Sequence, residues 1–177
     1  MNIAVAAEAD AGEVLTVQRA AYVSEAQLYD NPHLSALTES LADVRKALSE
    51  EIVLVARLGT RIVGAVRGRV DGAVCHVGRL VVAPDMQGMG LGRRLLLAIE
   101  ERVPSSVRRF ALFTGGRSES NLGLYRKLGY EPVREERVAP TLTLVHLEKP
   151  RSSIWPSRTA AIGHQQQQRL PGGRLGE

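Results

Sequence analysis

The chain has one cysteine, Cys75, in 177 residues. A lone thiol forms no internal disulfide, and that usage points to a cytoplasmic location. Cys75 itself reads as a small buried hydrophobe. No apolar run approaches the roughly 18 residues that would cross a bilayer. The start, Met1-Asn2-Ile3-Ala4, lacks the basic region and apolar stretch of a secretory signal. No set of His, Cys and Asp has the spacing of metal ligands, and no segment repeats. Charge excess is also missing from most of the chain. Of the net +4, residues 150–177 hold +3, from Arg151, Arg158, Arg169 and Arg174 against Glu177. The +1 left on residues 1–149 argues against a nucleic-acid partner, which would want a basic stripe on the folded domain.

What is present is ordinary for a globular protein: 44% hydrophobic and 24% charged residues. The length suits one domain, expected over residues 1–149. Residues 150–177 change character. Ser152-Ser153, Pro156, Gln165–Gln168 and Pro171-Gly172-Gly173 carry no periodicity, and Ile154-Trp155 is the only apolar anchor. That stretch reads as a disordered tail.

Within the domain, Asn2–Ala7 reads as a strand. Asp10 is placed to cap a helix from Ala11 to about Ala26 on Val14, Leu15, Ala21 and Tyr22. Asp30-Asn31-Pro32 breaks the chain. Ser40 or Asp43 starts a second helix, ending near Ser49, with Leu41, Val44 and Leu48 as its stripe. Ile52–Arg57, Arg61–Val70 and Ala73–Val82 read as strands, with hairpin signals at Gly59-Thr60 and Asp71-Gly72. A helix follows from Leu91 to Val103 on Leu91, Leu95, Ala98 and Ile99. Arg108–Thr114 is a strand, and Ser118 or Ser120 caps a helix to Leu128, with Gly129 beyond its end. Tyr130–Val138 and Thr141–Leu147 close the domain as strands. The order β-α-α-β-β-β-α-β-α-β-β predicts an α/β fold, a mixed sheet with helices on both faces.

Between the third and fourth helical and strand signals lies the densest motif, Leu80-Val81-Val82-Ala83-Pro84-Asp85-Met86-Gln87-Gly88-Met89-Gly90-Leu91-Gly92-Arg93. An apolar strand meets a proline, passes a glycine-rich turn and enters a helix. The first turn of a helix leaves about four N–H groups without intrahelical partners. Those donors and the helix dipole favour a phosphate. A P-loop would need Gly-Lys-Ser/Thr, but Arg93-Arg94 follows Gly92. A dinucleotide fingerprint would need Gly-x-Gly-x-x-Gly, whereas these glycines stand at every second position.

The spacing Gln87-x-x-Gly90-x-Gly92, after Val82-Ala83-Pro84, resembles the Arg/Gln-x-x-Gly-x-Gly/Ala signature of the GNAT family of N-acetyltransferases. Downstream, Asn121-Leu122-Gly123-Leu124-Tyr125-Arg126-Lys127-Leu128-Gly129-Tyr130 resembles that family's Asn-x-x-Leu-Tyr-x-x-x-Gly-Phe/Tyr segment. The two occur in order, separated by one helix and one strand, and the resemblance covers residues 2–149. It implies a mostly antiparallel sheet of about seven strands flanked by about four helices. It also implies acetyl-CoA as co-substrate and an amine of a small molecule, peptide or protein as acceptor. The pyrophosphate would sit on the backbone of Gln87, Gly88, Met89, Gly90, Leu91 and Gly92, with Arg93 adding charge. The strand through Leu80, Val81 and Val82 would splay from its neighbour and pair with the pantetheine arm.

Tyr125 matches the family tyrosine that protonates or holds the departing sulfur. Asn121 would contact the cofactor arm or cap its own helix. Members often carry Glu or Asp just before the Val-x-Pro turn, where this chain has Gly78 and Arg79. His76 is then the nearest titratable base, with Glu119 as another candidate. Tyr22, Glu25, Tyr29, Asp30 and His33, in or near the Tyr22–Leu37 segment, would line the acceptor site. The last strands pair in many members, so a homodimer is also expected. The alternative to an enzyme is an acyl-CoA-binding module that keeps the cradle and lacks the base.

Overall fold

Hairpin chemistry builds half of the sheet. In the computed structural model, which describes residues 1–152, β2 (Ile52–Leu58) turns through Gly59-Thr60 into β3 (Arg61–Asp71). A second turn at Gly72-Ala73 leads into β4 (Val74–Val82). Both turns fall where the glycine signals place them. With β1 (Asn2–Val5), β5 (Arg109–Gly115), β6 (Glu131–Ala139) and β7 (Leu142–Pro150), these strands form one seven-stranded sheet. Its order is β1-β2-β3-β4-β5-β7-β6, and only β4 and β5 pair in parallel.

The helices are α1 (Ala11–Tyr29), α2 (Ser35–Thr38), α3 (Leu41–Glu50), α4 (Leu91–Arg102) and α5 (Glu119–Lys127). They cover both faces of the sheet, as expected. α4 lies on one face, where Leu95 and Ile99 press against Gly64 and Gly68 of β3. The alternate residue of β3, Arg67, points to the other face and reaches Gln18 of α1. Leu91, Leu95, Leu96 and Ile99 of α4 are buried in a core shared with Val63, Val66, Cys75 and Phe110. Cys75 is fully buried, and burial pushes its thiol up to about 11.

Several boundaries differ from the sequence reading, each for a tertiary reason. α1 runs on to Tyr29 because that ring is buried against the backbone of Gly115, where a Cβ would have no room. It stops at Asp30, which takes a left-handed φ of 48° just before Asn31-Pro32. Asp10 does not cap α1. Its carboxylate accepts from the Ala7 N–H (2.8 Å) and from Arg57 (2.7 Å), closing the 3-10 turn that precedes the helix. Ser40 does cap α3: its hydroxyl accepts from the Asp43 N–H, and the Asp43 carboxylate accepts from the Ser40 N–H.

The buried face of α3 is Val44 and Ala47, while Leu41 is exposed. α2 was not expected from local pattern; it forms because Ala36 is buried and its carbonyl accepts from Gln18 (2.8 Å). β7 continues past Leu147 to Pro150 because Glu148–Pro150 find partners on β5. Residues 153–177, which hold most of the expected tail with Ile154-Trp155, lie outside the described residues. Among the described residues no helix is long and apolar enough to cross a membrane.

Candidate active site

Strands β4 and β5 pair through three positions only: Val74 with Arg109, Cys75 with Phe110 and His76 with Ala111. Beyond them the two strands part. On its other edge β4 remains paired with β3, but with a bulge: Arg79 and Leu80 together stand opposite Val66. Arg79 takes a left-handed φ of 47°, unusual for a residue with a side chain. A bulge bends its strand and adds local twist. The part of β4 from Val77 to Val82 therefore leaves β5, and the backbone edges facing the gap have no strand partner.

The gap ends at the glycine-rich turn. A 3-10 turn over Pro84–Met86 closes β4, and Gln87–Gly90 carries the chain into α4. Gly88 and Gly90 take φ of +77° and +76°, and Gly90 is the N-cap of α4. Alternation into this region gathers backbone N–H groups into anion-binding concavities. Among the described residues, nothing accepts a hydrogen bond from the N–H groups of residues 87–93. The Gln87 side-chain amide instead donates to the Val82 carbonyl (3.1 Å), tying the turn to the strand end. Gly92 differs from its two neighbours. It lies inside the helix, and a Cβ there would meet Leu124 at an ordinary 3.5 Å.

A cavity of about 680 Å³ joins these parts. Its wall includes Gln87, Gly88, Gly90, Leu91, Gly92 and Arg93 from the turn and Val77–Val82 from β4. Leu112–Gly115 of β5 face them, with Asn121, Leu124 and Tyr125 of α5. Met89 is not part of the wall; its side chain is 60% exposed. Tyr22, Glu25, Tyr29 and His33 also line the cavity, and Asp30 does not.

Burial pushes the Tyr125 hydroxyl well above the ordinary tyrosine value, with the neighbouring Tyr22 and Glu25 adding to the shift. The phenol therefore stays protonated through neutral pH and is available as a donor. Its ring is braced edge-on by Tyr130, at a centroid distance of 6.0 Å. Asn121 reaches the Thr114 hydroxyl (3.4 Å) and does not cap its helix. Ser118, at the N-cap of α5, does not cap it with its side chain either. Its hydroxyl donates to Glu25 (2.6 Å) and contacts the Tyr29 hydroxyl (2.8 Å).

Two sequence candidates for the base fall outside this geometry. His76 belongs to the stretch of β4 that is still paired with β5, is exposed and does not line the cavity. It is the last residue of β4 to pair with β5, one residue before the wedge opens at Val77. Glu119 is likewise exposed and outside the wall.

The sequence reading missed a polar cluster beside the part of the cavity lined by α1 and α2. Arg67, 6% exposed, donates through its two terminal nitrogens to the Glu39 carboxylate at 2.7 and 3.0 Å. Gln18 donates to the same carboxylate (2.6 Å) and accepts from Arg67 (3.1 Å). Arg79 approaches Glu39 at 3.5 Å and the Ser35 hydroxyl at 3.3 Å. Burial alone would raise the Glu39 carboxyl, but the hydrogen bonds from Arg67 and Gln18 and the two guanidinium charges hold it below the ordinary value. The only sequence signal for this cluster was Arg67, an arginine within the run Ile62–Gly68 of β3, which is otherwise apolar.

A family model of the acetyltransferase (GNAT) domain matches residues 25–150. The chain belongs to the GNAT acetyltransferase family. This GNAT protein is an acetyl-CoA-dependent N-acetyltransferase by that membership. It is 30% identical over 94 residues to an acetyltransferase, ECA0875, of Pectobacterium atrosepticum, a match covering 51% of this chain and 67% of that one. Solved GNAT structures share its fold. PaiA N-acetyltransferase from Thermoplasma acidophilum, in complex with coenzyme A, superposes with a TM-score of 0.73 at 16% identity, over 85% of this chain and 98% of that one. Ribosomal-protein-alanine N-acetyltransferase from Brucella melitensis gives 0.69 at 22% identity, over 85% and 100%.

Two expectations follow for this GNAT site. A Cβ at Gly90 has no atom within 4 Å, so in Gly90→Leu the cost at that atom is the left-handed backbone, about 1–2 kcal/mol. Calorimetric titration should show acetyl-CoA affinity falling well beyond that of Gly92→Ala, which adds no strain; equal affinities would contradict the cradle. Glu39→Ala leaves Arg67 buried without its carboxylate and is expected to cost about 3–5 kcal/mol in urea unfolding. Because the folded Glu39 value is depressed, its contribution is full above the ordinary carboxylate range and is lost as pH falls through the folded value. Acid unfolding of the wild type should therefore be steeper than that of the variant.

Proposed function

We propose that this enzyme acetylates a primary amine by direct attack within a ternary complex. The observation that supports it most is the run of N–H donors at residues 87–93, placed at one end of the cavity that enters the β4–β5 wedge. Seven donors and Arg93 suit a pyrophosphate. The unpaired edge of β4 from Val77 to Val82 suits the amide-bearing pantetheine arm, added as a strand would be. Acetyl-CoA supplies an acyl carbon already activated as a thioester. The amine nitrogen bonds to that carbon as the C–S bond breaks; one proton leaves the amine and one ends on the sulfur.

Tyr125 is the residue we assign to the sulfur's proton, since burial keeps its hydroxyl protonated at the wedge. Asn121, from the same helix, faces the cofactor arm. Glu25, held by Ser118, is the carboxylate nearest in role to a base or an ammonium anchor. Holding amine and thioester together supplies much of the acceleration. The nine-residue edge strand β6, with Val133 and Val138 exposed, is the surface we assign to pairing with a second copy.

Tyr125→Phe tests the assignment. In a thiol-release assay with an accepted amine, kcat should fall about 10²-fold or more, with acetyl-CoA affinity by calorimetry nearly unchanged. Wild-type turnover by the variant would remove Tyr125 from the chemistry.

A further inference from the structure

We propose that the acceptor is a zwitterion, a small amine that carries a carboxylate or similar oxyanion close to its amino group. The proposal rests on the acetyl-transfer reading and concerns the acceptor end of the same cavity. Among the residues lining that cavity, the Asp, Glu, Lys and Arg side chains are three: Glu25, Arg79 and Arg93. Arg93 stands in the first turn of α4, beside the N–H groups assigned to phosphate. The acceptor end is thus left with one anion and one cation.

Both are held in place, and neither is spent. Glu25 accepts from Ser118 through one carboxylate oxygen, and among the described residues no group pairs with the other. Arg79 is fixed by the bulge in a strained backbone conformation, which usually marks a position kept for its function. Its two contacts, to Glu39 at 3.5 Å and Ser35 at 3.3 Å, are long. The Glu39 carboxylate is already committed to Arg67 at 2.7 and 3.0 Å and to Gln18 at 2.6 Å. Two guanidinium groups therefore share one carboxylate, and the unbalanced charge belongs to Arg79, at the cavity wall. Tyr22 lines the same cavity; burial raises its hydroxyl, and the charges of Arg79 and Glu25 act on it in opposite directions.

This arrangement discriminates by charge. A simple alkylamine or a polyamine could set an ammonium on Glu25 but would leave Arg79 without an anion. An amino acid or its close analogue would set its ammonium on Glu25 and its oxyanion on the planar guanidinium, which pairs with carboxylates through two parallel hydrogen bonds.

The test uses the whole protein saturated with acetyl-CoA. Leucine, phenylalanine, glutamate and lysine are each offered beside the carboxamide and the decarboxylated amine of the same side chain. Thiol release and the mass of the acetylated product are read. At least one amino acid should exceed its decarboxylated partner in kcat/KM by about 10- to 100-fold. In Arg79→Gln that preference should collapse through KM, with acetyl-CoA affinity within about twofold of wild type; Arg79→Lys should recover part of it. Equal or better use of the amines without an oxyanion would overturn the proposal. So would acetyl-CoA binding with none of the amino acids acetylated, which leaves the cofactor reading standing. Absence of acetyl-CoA binding is the separate outcome that removes the acetyl-transfer reading and this proposal with it. The wild-type substrate pairs decide the matter even if the Arg79 variants fail to fold.

Discussion

β4 and β5 hold together for three residue pairs and then part, and the site depends on that parting. A parallel pair continued to Val82 would fill the wedge with its own ladder and leave no edge for a ligand. The bulge at Arg79 and Leu80 turns β4 away while its other edge stays paired with β3. α4 then begins where the strand ends, so that its unpartnered N–H groups open into the gap. One backbone irregularity thus positions the wedge and the cradle, and it also sets Arg79 at the cavity wall. The energetic support comes from behind, where Leu95 and Ile99 of α4 pack directly on glycines of β3.

The end of the cavity lined by α1 and α2 depends on a different kind of interaction. α2 is four residues long and has too few internal hydrogen bonds to stand alone. It is pinned by polar contacts: Gln18 to the Ala36 carbonyl, Arg19 to the Glu39 carbonyl, and Arg67 to the Glu39 carboxylate. A buried ion pair of this type contributes specificity of placement more than net stability. Tyr29 does the same on the opposite side, where its hydroxyl accepts from the Arg117 N–H and meets Ser118. The cavity wall on the side of α1 and α2 is in this way fastened to β3 and to the start of α5.

Much of this was legible in the sequence because it is local. The strand–proline–glycine–helix run marks the end of β4, the turn and the start of α4, and the hairpin glycines mark the turns that join β2 to β4. Of the five residues grouped from the first helix and the loop after it, Tyr22, Glu25, Tyr29 and His33 line one cavity and Asp30 does not. What escaped was non-local. His76 has the chemistry of a base, but whether it lies on the paired stretch or in the wedge depends on where β4 and β5 part, which no local pattern encodes. Glu39 and Arg67 stand 28 positions apart and meet only once the sheet and α1 are assembled. The length of α1 depends on a glycine 86 residues after Tyr29, whose missing side chain makes room for the ring.

The most direct test of the account is amide hydrogen exchange, residue by residue, with and without acetyl-CoA. Exchange reports which backbone N–H groups acquire partners. Strong slowing at residues 87–93, together with slowing on the wedge edge of β4 between Val77 and Val82, is the predicted result. Saturating acetyl-CoA that leaves exchange in both stretches unchanged would contradict it, because the donors on which the account rests would then hold nothing.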